Sequence, residues 1–302
     1  MINLTLKQLR YFEALARAGN FGRAADLSSV SQPALSMQIR ELETALGATL
    51  FERGARQVRL TRLGKDLAPR VREILRQVGE LGETARAAGD ALTGRLRLGI
   101  IPTIAPYLLP AVVRRLTAER AGLDLHLRET LTPRLLEELH DGSLDAAIVA
   151  LPVSEPELAE VALFSERFVL VRPASEADRP VPARDDLRTM RLLLLEEGHC
   201  FRDQALSFCN LEKSAPRELL DASSLSTLVQ MVAAGIGVTL IPDMAVRVET
   251  RSTAVSVARF NRPEPSRLVG MVWRRSNPLA GALSRIADIV RAAAEEERGR
   301  PD

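Results

Sequence analysis

The chain has 302 residues, 46% hydrophobic and 26% charged, with a net charge of +2. That length holds more than one domain at roughly 100–200 residues each, and no stretch approaches the ~20 apolar residues of a membrane helix. The amphipathic start, Met-Ile-Asn-Leu-Thr-Leu-Lys, does not read as a signal peptide. A cytoplasmic location with no membrane partner is therefore expected, where a structural disulfide is disfavoured and a transient one permitted. The charge is unevenly placed: residues 1–70 carry a net +5 and the remainder −3. A basic N-terminal module on a mildly acidic body points to an anion such as DNA.

Leu6, Leu9, Phe12, Leu15 and Ala16 repeat at helical spacing, and Gly19 stops that helix. A short helix over Phe21–Leu27 follows, with the small pair Ala24-Ala25. Ser28-Ser29-Val30 makes a turn, Ser31 is the expected N-cap of a third helix, and Pro33 is tolerated in its first turn. Leu35, Ile39, Leu42 and Leu46 form its apolar face, and Gly47 ends it. Two short helices joined by a tight turn read as helix-turn-helix, whose second helix presents its N-terminal residues to base edges in the major groove. Ser31, Gln32, Pro33, Ser36 and Arg40 are the expected DNA-facing residues, since Gln can read adenine and Arg guanine. Phe51–Arg53 and Val58–Leu60 read as a hairpin around Gly54, with Arg53, Arg56 and Arg59 as a basic wing for phosphates.

The ordered set Ala24-Ala25, Ser31-Gln32-Pro33-Ala34-Leu35-Ser36, Leu42-Glu43 and Leu50-Phe51-Glu52-Arg53 resembles the winged helix-turn-helix of the LysR-type transcriptional regulators, over residues 4–65. Beyond it, Leu67, Val71, Ile74, Val78, Leu81, Ala85 and Ala88 alternate spacings of four and three, a heptad seam that calls for a partner helix. Val71, Ile74, Val78 and Leu81 are the expected dimerisation residues, two reading heads matching half-sites about 34–36 Å apart. The same pattern would also serve a helix packed on its own domain.

From Arg95 strands and helices alternate. Strands are expected at Leu96–Ile101, Leu123–Arg128, Ala146–Ala150, Phe168–Val171, Leu192–Leu195, Val238–Ile241 and Leu268–Val272. Helices are expected at Tyr107–Arg120, Pro133–Asp141, Ser226–Ala234 and Leu279–Glu297. This is an α/β pattern, read as largely parallel. Gly235-Ile236-Gly237 lies between helix and strand, the wrong order for a phosphate loop. Neither a Ser/His/Asp elbow nor a zinc spacing is found, so no cofactor, metal or enzyme class is called for.

The resemblance implies a regulatory domain similar to a periplasmic binding protein, two α/β subdomains joined by crossing strands around a cleft, in a tetramer. It divides the chain into a DNA-binding domain (1–65), a linker and dimerisation helix (66–92) and a regulatory domain (93–302). The latter splits into one subdomain at about 93–165 plus 269–302 and another at about 166–268.

Both cysteines of the chain lie in one segment, Cys200 and Cys209. An isolated cysteine is commonly a small buried hydrophobe. Here Cys200 falls at an expected strand-to-helix junction, where amide N–H groups and the helix dipole favour a thiolate, with His199 and Arg202 as cationic or hydrogen-bonding neighbours. An unperturbed thiol of pKa ~8.5 is only about 3% ionised at pH 7. If the intervening residues are helical, nine steps of ~1.5 Å separate the two Cα atoms by roughly 13 Å. A disulfide needs about 4.4–6.8 Å, so oxidation requires the segment to repack, as a redox switch would.

Leu195 to Ala205 with Phe208-Cys209, Ile101-Pro102-Thr103, Pro106 to Pro110, Val232 to Gly235 and Pro263-Glu264-Pro265 resemble the peroxide-responsive members of the family. That resemblance implies that Cys200 is the peroxidatic thiolate and Cys209 the resolving thiol. Thr103 and Thr132 would hold peroxide, and His199, Arg202 and Asp203 would order the pocket. Thr103 and Thr132 would equally serve as helix caps. The implied partners are promoter DNA, H2O2, a second copy of the chain, RNA polymerase and a cellular thiol reductant. Ser266 and Asn210 depart from the family pattern, where a basic and an aromatic residue are common. The rivals are a LysR-type regulator that senses a small metabolite in its cleft, with inert cysteines, and a thiol peroxidase, against which the helix-turn-helix argues.

Overall fold

Helix α1 (Leu6–Ala18) opens on a reciprocal cap: the Thr5 hydroxyl accepts from the Gln8 N–H at 3.2 Å, and the Gln8 side chain accepts from the Thr5 N–H at 3.0 Å. Gly19 closes it at φ +62, a left-handed position that suits glycine. Helix α2 (Phe21–Leu27) is capped by Asn20, and α3 (Gln32–Leu46) runs from Ser31 to a left-handed Gly47. Strands β1 (Phe51–Arg53) and β2 (Val58–Leu60) pair antiparallel as the expected wing. Phe12, Leu15, Leu35, Ile39, Leu42 and Phe51 form the buried core, with the Phe12 and Phe51 rings 5.2 Å apart. Each such side chain contributes about 1.5–3 kcal/mol on burial. Helix α4 (Arg62–Ala87) begins where the Thr61 hydroxyl accepts from the Gly64 N–H at 3.0 Å.

A computed structural model describes residues 3–54, 57–87, 94–120, 122–184, 186–209, 221–262 and 264–299. The chain divides into two units between Ala85 and Arg86. Among the described residues, no helix is long and apolar enough to cross a membrane.

The second unit alternates β3 (Gly94–Ile100), α5 (Ala105–Glu119), β4 (Leu123–Glu129), α6 (Thr132–His140), β5 (Ala146–Leu151) and β6 (Leu158–Pro173). It continues with β7 (Leu192–Leu195), α7 (Cys200–Phe208), β8 (Asp221–Ala222), α8 (Leu225–Ala233) and β9 (Val238–Pro242). Helix α9 (Val246–Glu249), β10 (Val255–Arg259), β11 (Ser266–Arg274) and α10 (Ala280–Gly299) complete it. The strand order is β4-β3-β5-β11-β6-β9-β7-β8, with β10 also on β6. The α/β class and the N-terminal helix-turn-helix are as expected; the largely parallel pairing is not. β6 and β11 run antiparallel to each other and to β5, β9 and β10, so the sheet is mixed.

The cause is the length of β6. Its first part pairs with β11, and Phe168 to Pro173 pairs with β9 and β10. Leu158, Leu163 and Phe164 enter a core shared with β3, β5, α5 and α10. Phe168 to Val171 enter another, shared with β7, α7, α8 and β9. One strand thus carries the chain between two hydrophobic cores, and the cysteine helix lies where they adjoin.

Candidate redox site and nucleic-acid interface

In the N-terminal unit the Ser31 hydroxyl accepts from the Ala34 N–H at 3.4 Å and starts α3 with Pro33 in the first turn. Burying Leu35, Ile39 and Leu42 turns Gln32, Pro33 and Arg40 outward, with Ser36 half-buried. Glu43 accepts from the N–H groups of Leu50 (2.8 Å) and Phe51 (3.2 Å), tying the end of α3 to the wing. Arg59 lies exposed on β2, Arg53 belongs to β1, and Arg56 and Ala88 lie outside the described residues. On α4 the seam is corrected at Val71, which is 8% exposed and packs with Ala68 in the core of the unit itself. Ile74 (43%) and Leu81 (71%) stay exposed, and Val78 is half-buried.

Cys200 is the first residue of α7. The chain leaves β7 at Leu195, reverses at Gly198 (φ +96) and passes through an extended His199. A side chain at position 198 would be strained at that left-handed φ and would also crowd the Leu131 methyl at 3.0 Å. Neither cysteine is in a disulfide; Cys200 is half-buried and Cys209 fully buried at the other end of the helix. Because α7 is helical from Cys200 to Phe208, the separation of roughly 13 Å expected from helical rise holds.

Each end of α7 is fastened by an arginine. At the start, Arg202 donates to the Leu195 carbonyl at 2.7 Å and to Asp221 at 2.6 Å. At the finish, Arg184 donates to the Ser207 carbonyl at 2.8 Å and to the Phe208 carbonyl, with its guanidinium 5.4 Å from the Phe208 ring centroid. Phe208 in turn meets Phe260 edge-on at 5.3 Å.

Phe201, beside Cys200, packs edge-on against Phe168 at 4.8 Å, and its centroid lies 5.6 Å from the Arg267 guanidinium. Arg267 is a hub that sequence reading missed. It donates to Glu166 at 2.8 Å, to the Thr103 hydroxyl at 2.8 Å and to the Thr103 carbonyl at 3.0 Å. The two charged residues are direct cross-strand partners in the β6–β11 register, 101 positions apart. Thr103 therefore does not cap α5; its oxygen accepts from Arg267, which leaves its own proton to donate. Thr132 does not cap α6 either, because it is the first helical residue after Leu131. Its hydroxyl oxygen is buried without a protein hydrogen-bond partner, an unmet demand that a water or ligand would satisfy.

Thr103 and His199 line one cavity of about 350 Å3, together with Leu131, Tyr107, Glu196 and Glu249. Tyr107 donates to Glu249 at 2.7 Å, and burial with that carboxylate holds the phenol above its ordinary range. Burial lowers the His199 pKa below the ordinary 6.5, only partly opposed by the Glu196 carboxylate. Arg202 is turned to the Leu195 carbonyl and Asp221 rather than into the cavity. Asp203 is exposed in the first turn of α7. Of the two departures from the family pattern, Ser266 is exposed at the start of β11 and Asn210 lies outside the described residues.

The neutral His199 ring makes a pH prediction. The unfolded ring takes up its proton near 6.5 and the folded ring only at lower pH, so the contribution of this group is full above 6.5 and shrinks as pH falls below it. Thermal midpoints between pH 7.5 and 5.5 should decline less steeply for His199→Gln than for the wild type.

The fold and the head define a DNA-binding regulator. A family model described as "Bacterial regulatory helix-turn-helix protein, lysR family" matches residues 6–65. A second, "LysR substrate binding domain", matches residues 89–295. The chain belongs to the lysR family. It is 41% identical over 295 residues to the DNA-binding transcriptional dual regulator OxyR of Escherichia coli K12, covering 96% of this chain and 95% of that one. It is 44% identical over 293 residues to a probable hydrogen peroxide-inducible genes activator of Streptomyces viridosporus, covering 96% and 94%. Among solved structures, a full-length OxyR cysteine-to-aspartate mutant from Pseudomonas aeruginosa matches with TM-score 0.76 and 36% identity over 96% of this chain and 95% of that one. An H2O2-bound cysteine-to-serine mutant of Corynebacterium glutamicum OxyR matches with TM-score 0.68 and 36% identity over 98% and 94%.

Proposed function

We propose that this chain is a hydrogen-peroxide-sensing transcription regulator that converts thiol oxidation into altered DNA contacts. One observation carries the reading: Cys200 heads a helix next to the cavity-lining His199, and the second thiol is buried at the other end of that same helix. The Cys200 thiolate attacks one oxygen of H2O2, the O–O bond breaks, and hydroxide leaves a sulfenic acid behind. The Cys209 thiolate then attacks that sulfur and displaces hydroxide, closing the Cys200–Cys209 disulfide. Thr103, Thr132 and the neutral His199 hold the peroxide, Arg202 fixes the helix, and Asp203 steadies its first turn through the dipole. A thiol reductant resets the pair.

Closing the disulfide unwinds α7. Phe201 then leaves Arg267, Phe208 leaves Phe260, and the two cores repack around β6. Residues 1–65 form the DNA-binding domain, 66–92 the dimerisation linker, and 93–302 a regulatory domain of two subdomains, 93–165 with 269–302 and 166–268. Ser31, Gln32, Pro33, Ser36 and Arg40 face base edges, and Arg53, Arg56 and Arg59 face phosphates. Ile74, Val78 and Leu81 carry the contact between copies. The repacking changes the spacing of the reading heads in a cytoplasmic tetramer on promoter DNA, where RNA polymerase is the further partner.

Peroxide titration of reduced protein, read by intact mass and peptide mapping, tests this. Loss of about two mass units with a Cys200–Cys209 peptide link is expected at low micromolar peroxide. Thiols that survive excess peroxide sink the reading. The cavity of about 350 Å3 lies within the ligand-pocket range of about 300–1,000 Å3, and would then favour a small-metabolite effector.

The clamp at the end of α7 supplies a second test. Arg184 holds the last carbonyls in the reduced state, and charged donors stabilise helix ends there. Arg184→Ala should leave sulfenate formation unchanged and speed disulfide closure roughly fivefold, about 1 kcal/mol for an exposed charged clamp. Stopped-flow fluorescence resolving the two phases checks it.

A further inference from the structure

Helix α3 carries a side chain that the groove-reading residues do not explain. Met37 lies two residues after Leu35 and two before Ile39, both fully buried. At about 100° per residue that points it close to directly away from the core. It is 54% exposed, and among the described residues of α3 it is the large hydrophobic left in solvent. Pro33 and Arg40 are exposed on the same outward side. Gln38 and Glu41 hydrogen-bond to each other at 2.6 Å. The centre of the surface turned away from the core is thus apolar.

We infer that Met37 contacts a thymine methyl group in the major groove and sets the base preference at that position. The inference rests on the reading of α3 as the groove helix. The thymine C5-methyl is the apolar mark that the major groove offers, and small apolar side-chain groups recognise it. A thioether on an unbranched, three-torsion chain adapts its terminal methyl to such a surface. Its neighbours divide the work by chemistry: Arg40 is suited to guanine, Gln32 to adenine, and Met37 to the methyl that neither can read.

The test uses the full chain and duplexes recovered from a pool with randomised cores. In the recovered sequence each thymine is replaced singly by deoxyuridine, which removes one methyl and leaves the pairing intact. For the wild type, one replacement per half-site should weaken binding about fourfold, the effect of roughly one methyl group or 0.8 kcal/mol. Met37→Ala should bind the thymine duplex more weakly by a similar factor and be indifferent to the replacement. Met37→Gln should select adenine at that position. Uridine sensitivity that persists in Met37→Ala, or a wild type indifferent to every replacement, overturns the inference. If Ser36→Ala and Arg40→Ala also bind as the wild type does, it is the groove-helix reading that fails; loss of binding in Arg40→Ala beside an unaffected Met37→Ala refutes the methyl contact alone.

Discussion

Cys200→Ser abolishes the response to peroxide: no disulfide, no sulfenate, and one DNA footprint with or without oxidant. Serine fills the site with nearly the same volume and keeps a weak hydrogen-bonding group at the head of α7, so the helix is retained while the nucleophile is lost. Cys209→Ser behaves differently. The partner thiol is fully buried among apolar side chains, and without it Cys200 stops at the sulfenate, visible as a gain of about one oxygen in mass and open to a dimedone-type probe. Excess peroxide then drives it to the sulfinic acid, which thiols do not reverse. The two variants must therefore diverge. If Cys209→Ser still gives a two-unit mass loss, or Cys200→Ser still changes its footprint on oxidation, the assignment of the two roles collapses.

Arg267→Ala costs about 3–5 kcal/mol of folding stability, the range for removing one partner of a buried ion pair. Arg267 has no exposed side-chain surface and Glu166 only 4%. The remaining carboxylate would keep the Met244 N–H at 3.3 Å and lose its charge partner Arg267, while the Thr103 oxygen loses its donor. Against a typical stability of about 5–15 kcal/mol, that is a large share. The double variant Glu166→Gln with Arg267→Met restores much of it, since no unpaired charge remains. Urea unfolding of the three proteins checks this. An Arg267→Ala loss below about 1 kcal/mol would mean that water reaches Glu166 and that the hub is not closed.

Much of the architecture was legible because its signals are local. Ser31, the apolar series Leu35, Ile39 and Leu42, and Gly47 lie within one helix and encode its start, its face and its end. Cys200 and Cys209 stand out from composition alone. What was hidden depends on distant partners. The first half of β6 carries Glu160, Ser165 and Glu166 among its apolar residues and does not read as a strand; its place follows from β11, about a hundred positions later. Arg267 and Glu166 each look like an ordinary surface charge until the register sets them opposite. Val71 fits the seam by spacing, yet it is already enclosed by the head. Arg202 looked like a neighbour of the thiol because it is close in sequence, and the helix turns it the other way.

The two arginine clamps on α7 have a consequence for how such a sensor is calibrated. In the proposed cycle the oxidised state is reached only after the helix has melted, so the free energy that holds the helix together enters the reduction potential directly. For a two-electron couple about 1.4 kcal/mol corresponds to 30 mV. A change at Arg184, Phe260 or Asp221, none of which carries sulfur, would move the set-point of the thiol pair by tens of millivolts. The alarm threshold can thus be tuned to the oxidant load of a habitat without altering the reacting atoms.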